Sequence, residues 1–138
     1  MIAADFVLVH DAARPCVSVA DIERLVASAV PAGGGLLAAP LRDTLKRADA
    51  RGRVVATEPR ERRWRALTPQ VFPRGALTSA LERAHAAGIA ITDEAMAMER
   101  EGVQPLLVEG SEDNLKVTTP ADLAVVEFWL GRASRVEG

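Results

Sequence analysis

A single cysteine, Cys16, serves the whole 138-residue chain, and tyrosine is absent. One cysteine excludes an internal disulfide framework and a cysteine-based metal cage. The two histidines, His10 and His85, have no spacing for zinc or for a nucleophilic triad. Three Phe and two Trp are too few for a platform on which successive bases stack. No apolar run approaches the ~20 residues of a membrane span. The first residues lack the basic stretch and long apolar core of a secretory signal. A cytoplasmic setting without a membrane partner is therefore the default expectation. A net charge of −2 counts against general nucleic-acid binding.

What is present describes one modest globular domain over 1–138, with 49% hydrophobic and 26% charged residues. Charge is unevenly spread. Residues 42–65 hold nine Lys or Arg against four acids, which is either a solvated face or a patch for an anionic ligand.

Val7-Leu8-Val9 is a short apolar run without alternation, the pattern of a strand buried on both faces. It ends in His10-Asp11-Ala12-Ala13-Arg14-Pro15. In open α/β sheets ligands collect beyond the carboxyl ends of such strands. Asp11 and Arg14 thus stand either at a ligand edge or in an ordinary surface turn. Ser18 with Asp21 three residues on reads as a helix start, with Ile22, Leu25, Val26 and Ala29 at helical spacing. Residues 36–39 give a second buried strand, closed by Pro40, so that strand, helix and strand form a βαβ unit.

Residues 41–65 break the pattern. Weak alternation around Ala50-Arg51-Gly52 predicts two strands, 44–47 against 54–57, standing away from the main sheet; a long loop is the competing reading. An isolated hairpin is marginal in water, so it needs a surface to pack on, such as another subunit. Order returns at 64–72. Pro73 then opens a helix carrying Leu77, Leu81 and Ala84, and residues 89–91 read as a brief extended segment. Thr92 or Asp93 caps a further helix, and 105–109 is a strand. Leu115 and Val117 form a short strand end. Thr119-Pro120-Ala121-Asp122 starts the last helix, with Leu123, Val126, Phe128 and Leu130 as its buried side; 131–138 reads as a frayed tail.

Asp113 and Lys116 flank an apolar step at another strand end. They are either a salt bridge in a turn or, together with Asp11, a set suited to Mg²⁺ and phosphates. Thr92-Asp93-Glu94 is either a plain helix cap or a place for an anion or sugar hydroxyl. His10 reads as a strand-end residue satisfied by hydrogen bonds, and Cys16 as a small buried residue without a base to activate it.

Taken in order, five segments resemble the 2-C-methyl-D-erythritol 4-phosphate cytidylyltransferases of the non-mevalonate isoprenoid pathway. They are residues 7–15, Pro40-Leu41-Arg42-Asp43-Thr44-Leu45-Lys46, Ala66-Leu67-Thr68-Pro69-Gln70, Ile91-Thr92-Asp93-Glu94-Ala95 and Asp113-Asn114-Leu115-Lys116-Val117-Thr118. The resemblance implies an α/β fold: a Rossmann-like, mostly parallel sheet with flanking helices and a protruding β-hairpin arm at about 41–63. It implies a cytidylyltransferase acting on cytidine triphosphate and a sugar-alcohol phosphate with Mg²⁺. Asp11 would stand near the metal and the triphosphate, with Asp113 a second metal-shell candidate. Arg14, Thr44 and Thr92 would hold the methylerythritol phosphate, and Lys116 would position its phosphate. Arg60 would contact that phosphate, and Arg60 and Thr68 would serve the neighbouring subunit of a homodimer joined through the arm. Relatives that activate ribitol 5-phosphate share much of this pattern.

One departure stands out. The family begins with a strand and a glycine-rich loop bearing an arginine and a lysine, whereas Met1-Ile2-Ala3-Ala4-Asp5 leads straight into the strand at 7–9. Gly33-Gly34-Gly35 precedes a strand instead of opening a helix, so it is no substitute. The expectation is an N-terminally truncated fragment with impaired turnover, or else a non-catalytic dimerisation or sugar-phosphate-binding module.

Overall fold

The computed structural model describes residues 5–137, with side chains as far as Arg132. The elements run β1 (Phe6–Val9), α1 (Val19–Ala29), β2 (Gly35–Pro40), β3 (Leu45–Ala48), β4 (Val54–Glu58), β5 (Trp64–Pro73), α2 (Arg74–Ala86), α3 (Glu94–Arg100), β6 (Leu106–Glu109) and α4 (Pro120–Glu137). The main sheet has the order β1-β5-β2-β6, and β3 and β4 form a separate two-stranded sheet.

The mostly parallel sheet expected from the sequence is a mixed one. β5 lies between β1 and β2 and runs against both; β2 and β6 pair in parallel. The strands of the βαβ reading, β1 and β2, are thus parallel to each other but separated by β5. Ten residues long, β5 supplies hydrogen bonds on both sides, and Leu67, Gln70, Val71 and Phe72 are buried along it. β1 is correspondingly less covered than its apolar run predicts. Among the described residues it pairs on one side only, and Leu8 is 40% exposed.

The core has two layers, one on each face of the sheet. Alternation along β2 sends Leu37 and Ala39 toward Leu25 and Ala29 of α1. Leu36 goes to the opposite face, with Phe72 of β5, Leu77 and Ala80 of α2 and Ala95, Ala97 and Met98 of α3. Close approach at the start of β2 requires glycine: a Cβ on Gly35 would stand 2.5 Å from the Leu106 carbonyl oxygen and 2.9 Å from Ala29 Cβ.

Helix starts follow the residues that predicted them. Ser18 Oγ accepts from Asp21 N at 3.1 Å. Asp122 accepts from the amides of Thr118 and Thr119 while its own amide donates to Thr119 Oγ1. The hairpin is also where the alternation put it, with Leu45 opposite Glu58 and Arg47 opposite Ala56. Other expectations are corrected. Residues 89–91 and Leu115 to Val117 contain no strand. Among the described side chains of α4 only Val126 is buried, whereas Leu123, Phe128 and Leu130 are exposed, because little of the described chain packs over that helix. Helix continues to Glu137 over most of the segment read as a tail; Gly138 and residues 1–4 lie outside the described residues.

Two glycines give opposite expectations. Gly35→Ala should lower unfolding free energy by about 1–3 kcal/mol, the range for forcing a methyl into a packed site. Gly75, in α2 with no atom near its missing Cβ, should gain up to about 1 kcal/mol as Ala through backbone entropy. Urea unfolding followed by circular dichroism measures both.

Candidate functional site

Three parallel strands, β1, β2 and β6, end on the same side of the sheet. The Val9 to Gln70 pairing, continued two residues on, places Asp11 opposite Thr68. There the Asp11 amide donates to Thr68 Oγ1 at 3.0 Å. The Asp11 carboxylate folds over the following turn: Oδ1 accepts from Ala13 N at 3.0 Å, and the Asp11 carbonyl accepts from Arg14 N at 3.0 Å. The turn's small residues leave room for these contacts and for the Val117 amide, which donates to the Ala13 carbonyl at 2.8 Å.

The segment after β6 closes on this turn. Asn114, 1% exposed, donates through Nδ2 to the Thr68 carbonyl at 2.8 Å. Its own carbonyl accepts from Arg14 Nη1 at 2.8 Å. Two residues on, Lys116 Nζ lies 3.3 Å from Asp11 Oδ2. Farther back, buried Asp21 of α1 accepts from Ser111 N at 2.8 Å, and Arg24 donates to the Glu109 carbonyl, so α1 holds the start of the same segment.

The electrostatics follow from these contacts. The Ala13 amide, reinforced by Lys116 and Arg14, holds the Asp11 carboxyl below its ordinary range against the opposing effect of burial. Burial pulls the Arg14 guanidinium below its ordinary value; Asp11 opposes that, and the like charge of Arg65 adds to it. Arg14 Nε and Asn114 Oδ1 are buried without a hydrogen-bond partner. Asp11 is therefore ionised at neutral pH among the cations Arg14 and Lys116, with Arg65 close enough to be felt.

Around the base of the hairpin a second group of charges gathers. Glu112 Oε1 is 2.7 Å from Arg42 Nε and 3.7 Å from Arg65 Nη2. These three line a cavity of about 290 Å³ with Leu41, Asp43 and Leu115. Arg60 donates to the Arg42 carbonyl, and Thr44 stands exposed in the loop before β3. Arg65 and Glu112 had not been singled out in the sequence. The signal was available in the acidic turn at 109–113, whose charge complements the basic stretch.

The remaining candidates make other contacts. Asp113 lines another cavity, of about 300 Å³, with Cys16, Val17 and Trp129. Cys16 is partly buried there, its thiol pushed up by burial and by Asp113. Thr92 is exposed and donates to Met96 Sδ, while Asp93 is the cap of α3, accepting from Met96 N at 2.8 Å. Buried Gln70 locks that cap to the sheet, donating to Asp93 Oδ2 at 3.0 Å and accepting from Ala95 N at 2.8 Å. Among the described residues no three His, Cys, Asp or Glu side chains are grouped to hold a metal ion, and no helix is long and apolar enough to cross a membrane.

Residues 2–132 match the family model described as IspD, 2-C-methyl-D-erythritol 4-phosphate cytidylyltransferase. The chain is 64% identical over 132 residues to the curated protein of that name from Stenotrophomonas maltophilia (strain R551-3), covering 94% of this chain and 56% of the relative. To its counterpart from Xanthomonas oryzae pv. oryzae (strain PXO99A) it is 63% identical over 132 residues, covering 94% and 48%. The chain thus spans about half the length of the curated relatives it matches. Among solved structures, the 2-C-methyl-D-erythritol 4-phosphate cytidylyltransferase of Francisella tularensis superposes with a TM-score of 0.85 at 36% identity, covering 93% of this chain and 60% of that one. A crystal structure of a 4-diphosphocytidyl-2C-methyl-D-erythritol synthase gives 0.81 at 46% identity, covering 93% and 58%.

Asp11 offers a direct measurement. Its titration, followed by carboxyl ¹³C shift, should have a midpoint below that of an ordinary aspartate. Lys116→Met should raise the midpoint only in part, because the Ala13 amide, the larger cause, remains. A depressed folded-state pKa adds stability above the unfolded value and loses it as pH falls through the folded one. The stability difference between the wild type and Lys116→Met should therefore be present at neutral pH and shrink in acid.

Proposed function

This chain belongs to the 2-C-methyl-D-erythritol 4-phosphate cytidylyltransferase family, and on that premise we propose that its Asp11–Arg14–Lys116 cluster is the sugar-phosphate side of a cytidylyltransferase site. In the reaction a phosphate oxygen of methylerythritol phosphate attacks the α-phosphorus of cytidine triphosphate. The bond to the bridging oxygen breaks, and pyrophosphate leaves; the product, in which a cytidine diphosphate group carries the methylerythritol, feeds isoprenoid precursor synthesis. The observation that carries the reading is the meeting of Lys116 and Asp11 at 3.3 Å beside a guanidinium whose Nε has no partner. Such a cluster can receive a dianion by exchanging one carboxylate partner for phosphate oxygens.

Lys116 and Arg14 bind and orient the sugar phosphate in this reading, with Thr44 and Thr92 as further contacts to its polyol. Phosphoryl transfer leaves the protein chiefly with positioning and charge stabilisation. A lone carboxylate such as Asp11 suits Mg²⁺, which is bound by one or two carboxylates together with substrate phosphates and keeps its remaining waters. Bound there, Mg²⁺ would neutralise phosphate charge; Asp113 is the second candidate for its outer shell. Thr68 acts through Asp11: with its oxygen accepting the Asp11 amide, it holds the turn in place. A cytoplasmic setting goes with this reading on the composition alone.

The hairpin is the arm of a homodimer in the same reading, and Arg60 reaches the neighbouring subunit's substrate. Val54 and Val55 support it, being 62% and 53% exposed on a two-stranded sheet that needs a covering surface.

Two experiments test these roles. Titrating the chain with methylerythritol phosphate should shift the amides of residues 11–14 and 114–117, and Lys116→Ala should weaken binding at least about tenfold. Binding unaffected by Lys116→Ala overturns the assignment, and tighter binding of ribitol 5-phosphate moves the substrate to that polyol. In sedimentation the chain should run as a dimer and Val55→Asp as a monomer; a monomeric wild type removes the arm's role.

A further inference from the structure

His10 is exposed, yet both of its ring nitrogens are engaged. Nε2 lies 2.8 Å from the Arg14 carbonyl oxygen, and Nδ1 lies 2.9 Å from Thr68 Oγ1. A carbonyl oxygen only accepts, so Nε2 carries the proton. In the neutral ring Nδ1 is then bare, and it accepts the Thr68 hydroxyl proton. The Thr68 oxygen keeps its lone pairs for the Asp11 amide at 3.0 Å. Every donor and acceptor in this circuit has one consistent direction: Asp11 N–H to Thr68, Thr68 O–H to His10, His10 Nε2–H to the Arg14 carbonyl.

We propose that His10 is a positioning residue for the sugar-phosphate cluster. Its imidazole spans the 10–14 turn and ties it to β5, fixing the Thr68 hydroxyl rotor and the Arg14 carbonyl together. The local contacts within the turn, Ala13 N to Asp11 Oδ1 and Arg14 N to the Asp11 carbonyl, set its shape but not its place against β5. His10 and Thr68 set that place together with Asn114, which joins Arg14 to the Thr68 carbonyl, and with it the aim of the Asp11 carboxylate and the Arg14 guanidinium. With its proton committed to neutral His10, Thr68 has none to give a phosphate oxygen. This role rests on the sugar-phosphate function inferred above and adds a residue which that function does not itself require to touch substrate.

The test separates the two. In the ligand-free chain, long-range ¹H–¹⁵N correlation of the His10 ring should show the Nε2–H tautomer. Thr68→Val, which keeps shape and deletes the hydroxyl, should leave that tautomer in place, because the Arg14 carbonyl sets it, but speed exchange of the Asp11 amide about tenfold, the size of one lost hydrogen bond. Thr68→Ser should restore the slow exchange. His10→Phe should weaken methylerythritol phosphate binding several-fold at temperatures well below its melting point. His10→Asn, which keeps an acceptor near the place of Nδ1, should recover part of the loss. An Nδ1–H tautomer, or unchanged Asp11 exchange in Thr68→Val, overturns the role of His10. Wild-type affinity in His10→Phe does the same, as does a lowered melting temperature with neither exchange nor affinity altered. A wild type that shows the tautomer and the exchange pattern but binds no sugar phosphate overturns the function and leaves the positioning circuit standing.

Discussion

A strand that runs against both neighbours must match its hydrogen-bonding groups to two partners, and β5 does so, meeting β1 through residues 70 to 73 and β2 through residues 64 to 66, 70 and 71. That double pairing sets where everything beyond the strand ends can lie. Val9 opposite Gln70 leads to Asp11 opposite Thr68. The Thr68 carbonyl takes the Asn114 amide, which brings in the segment after β6. One residue on β5 therefore holds both halves of the site, through its side chain on one and its backbone on the other. A slip of one residue would turn alternate side chains to the opposite face and separate Asp11 from Thr68.

The polar groups at this junction are costly unless satisfied, and their arrangement shows how the fold meets that cost. Asn114 and Gln70 are each 1% exposed and carry hydrogen bonds to elements distant in sequence. Gln70 secures the α3 cap on one face while Asn114 secures the turn at 10–14. Desolvation acts on Arg14 as well, yet Asp11 and the Asn114 carbonyl keep its charge in place. The result is a cation held in position before any ligand arrives, which lowers the ordering cost of binding.

Legibility in the sequence depended on whether a feature was local. The 7–15 strand and turn could be read because their apolar run and its abrupt polar end lie within one short stretch. The hairpin showed in alternation around Ala50-Arg51-Gly52, and the caps at Ser18 and Asp122 in residues three apart. The direction of β5 could not be read, since pairing with β1 joins residues 61 to 67 positions apart, and nothing local distinguishes a parallel strand from an antiparallel one of similar composition. The burial of Asn114 and Gln70 has no local signal; only their partners reveal it. The apolar side of α4 failed for the opposite reason. Hydrophobicity marks what can be buried, and Leu123 and Phe128 stand exposed where the described chain offers no cover. Asp11, Arg14 and Lys116 fared better because each lies just beyond a strand end, the place where the topology gathers side chains.

The Asp11–Lys116 pair contributes little to stability, since half-exposed ion pairs are worth ~0–1 kcal/mol and the Lys116 side chain is 51% exposed. The elements around it are far more firmly held, by buried Asn114, by the Val117 amide on Ala13 and by Asp21 on Ser111. A strongly fixed frame around a weakly held pair is the arrangement expected of a site that must exchange partners. In the proposed exchange Lys116 would give up one solvent-screened contact and keep its position, because the backbone on either side is anchored independently of it. If the pair were instead a fastening for the fold, its cation would be buried and its neighbours looser. The distribution of hydrogen bonds runs the other way, which places the weak link at the side chains proposed to meet the substrate and the strength in the backbone behind them.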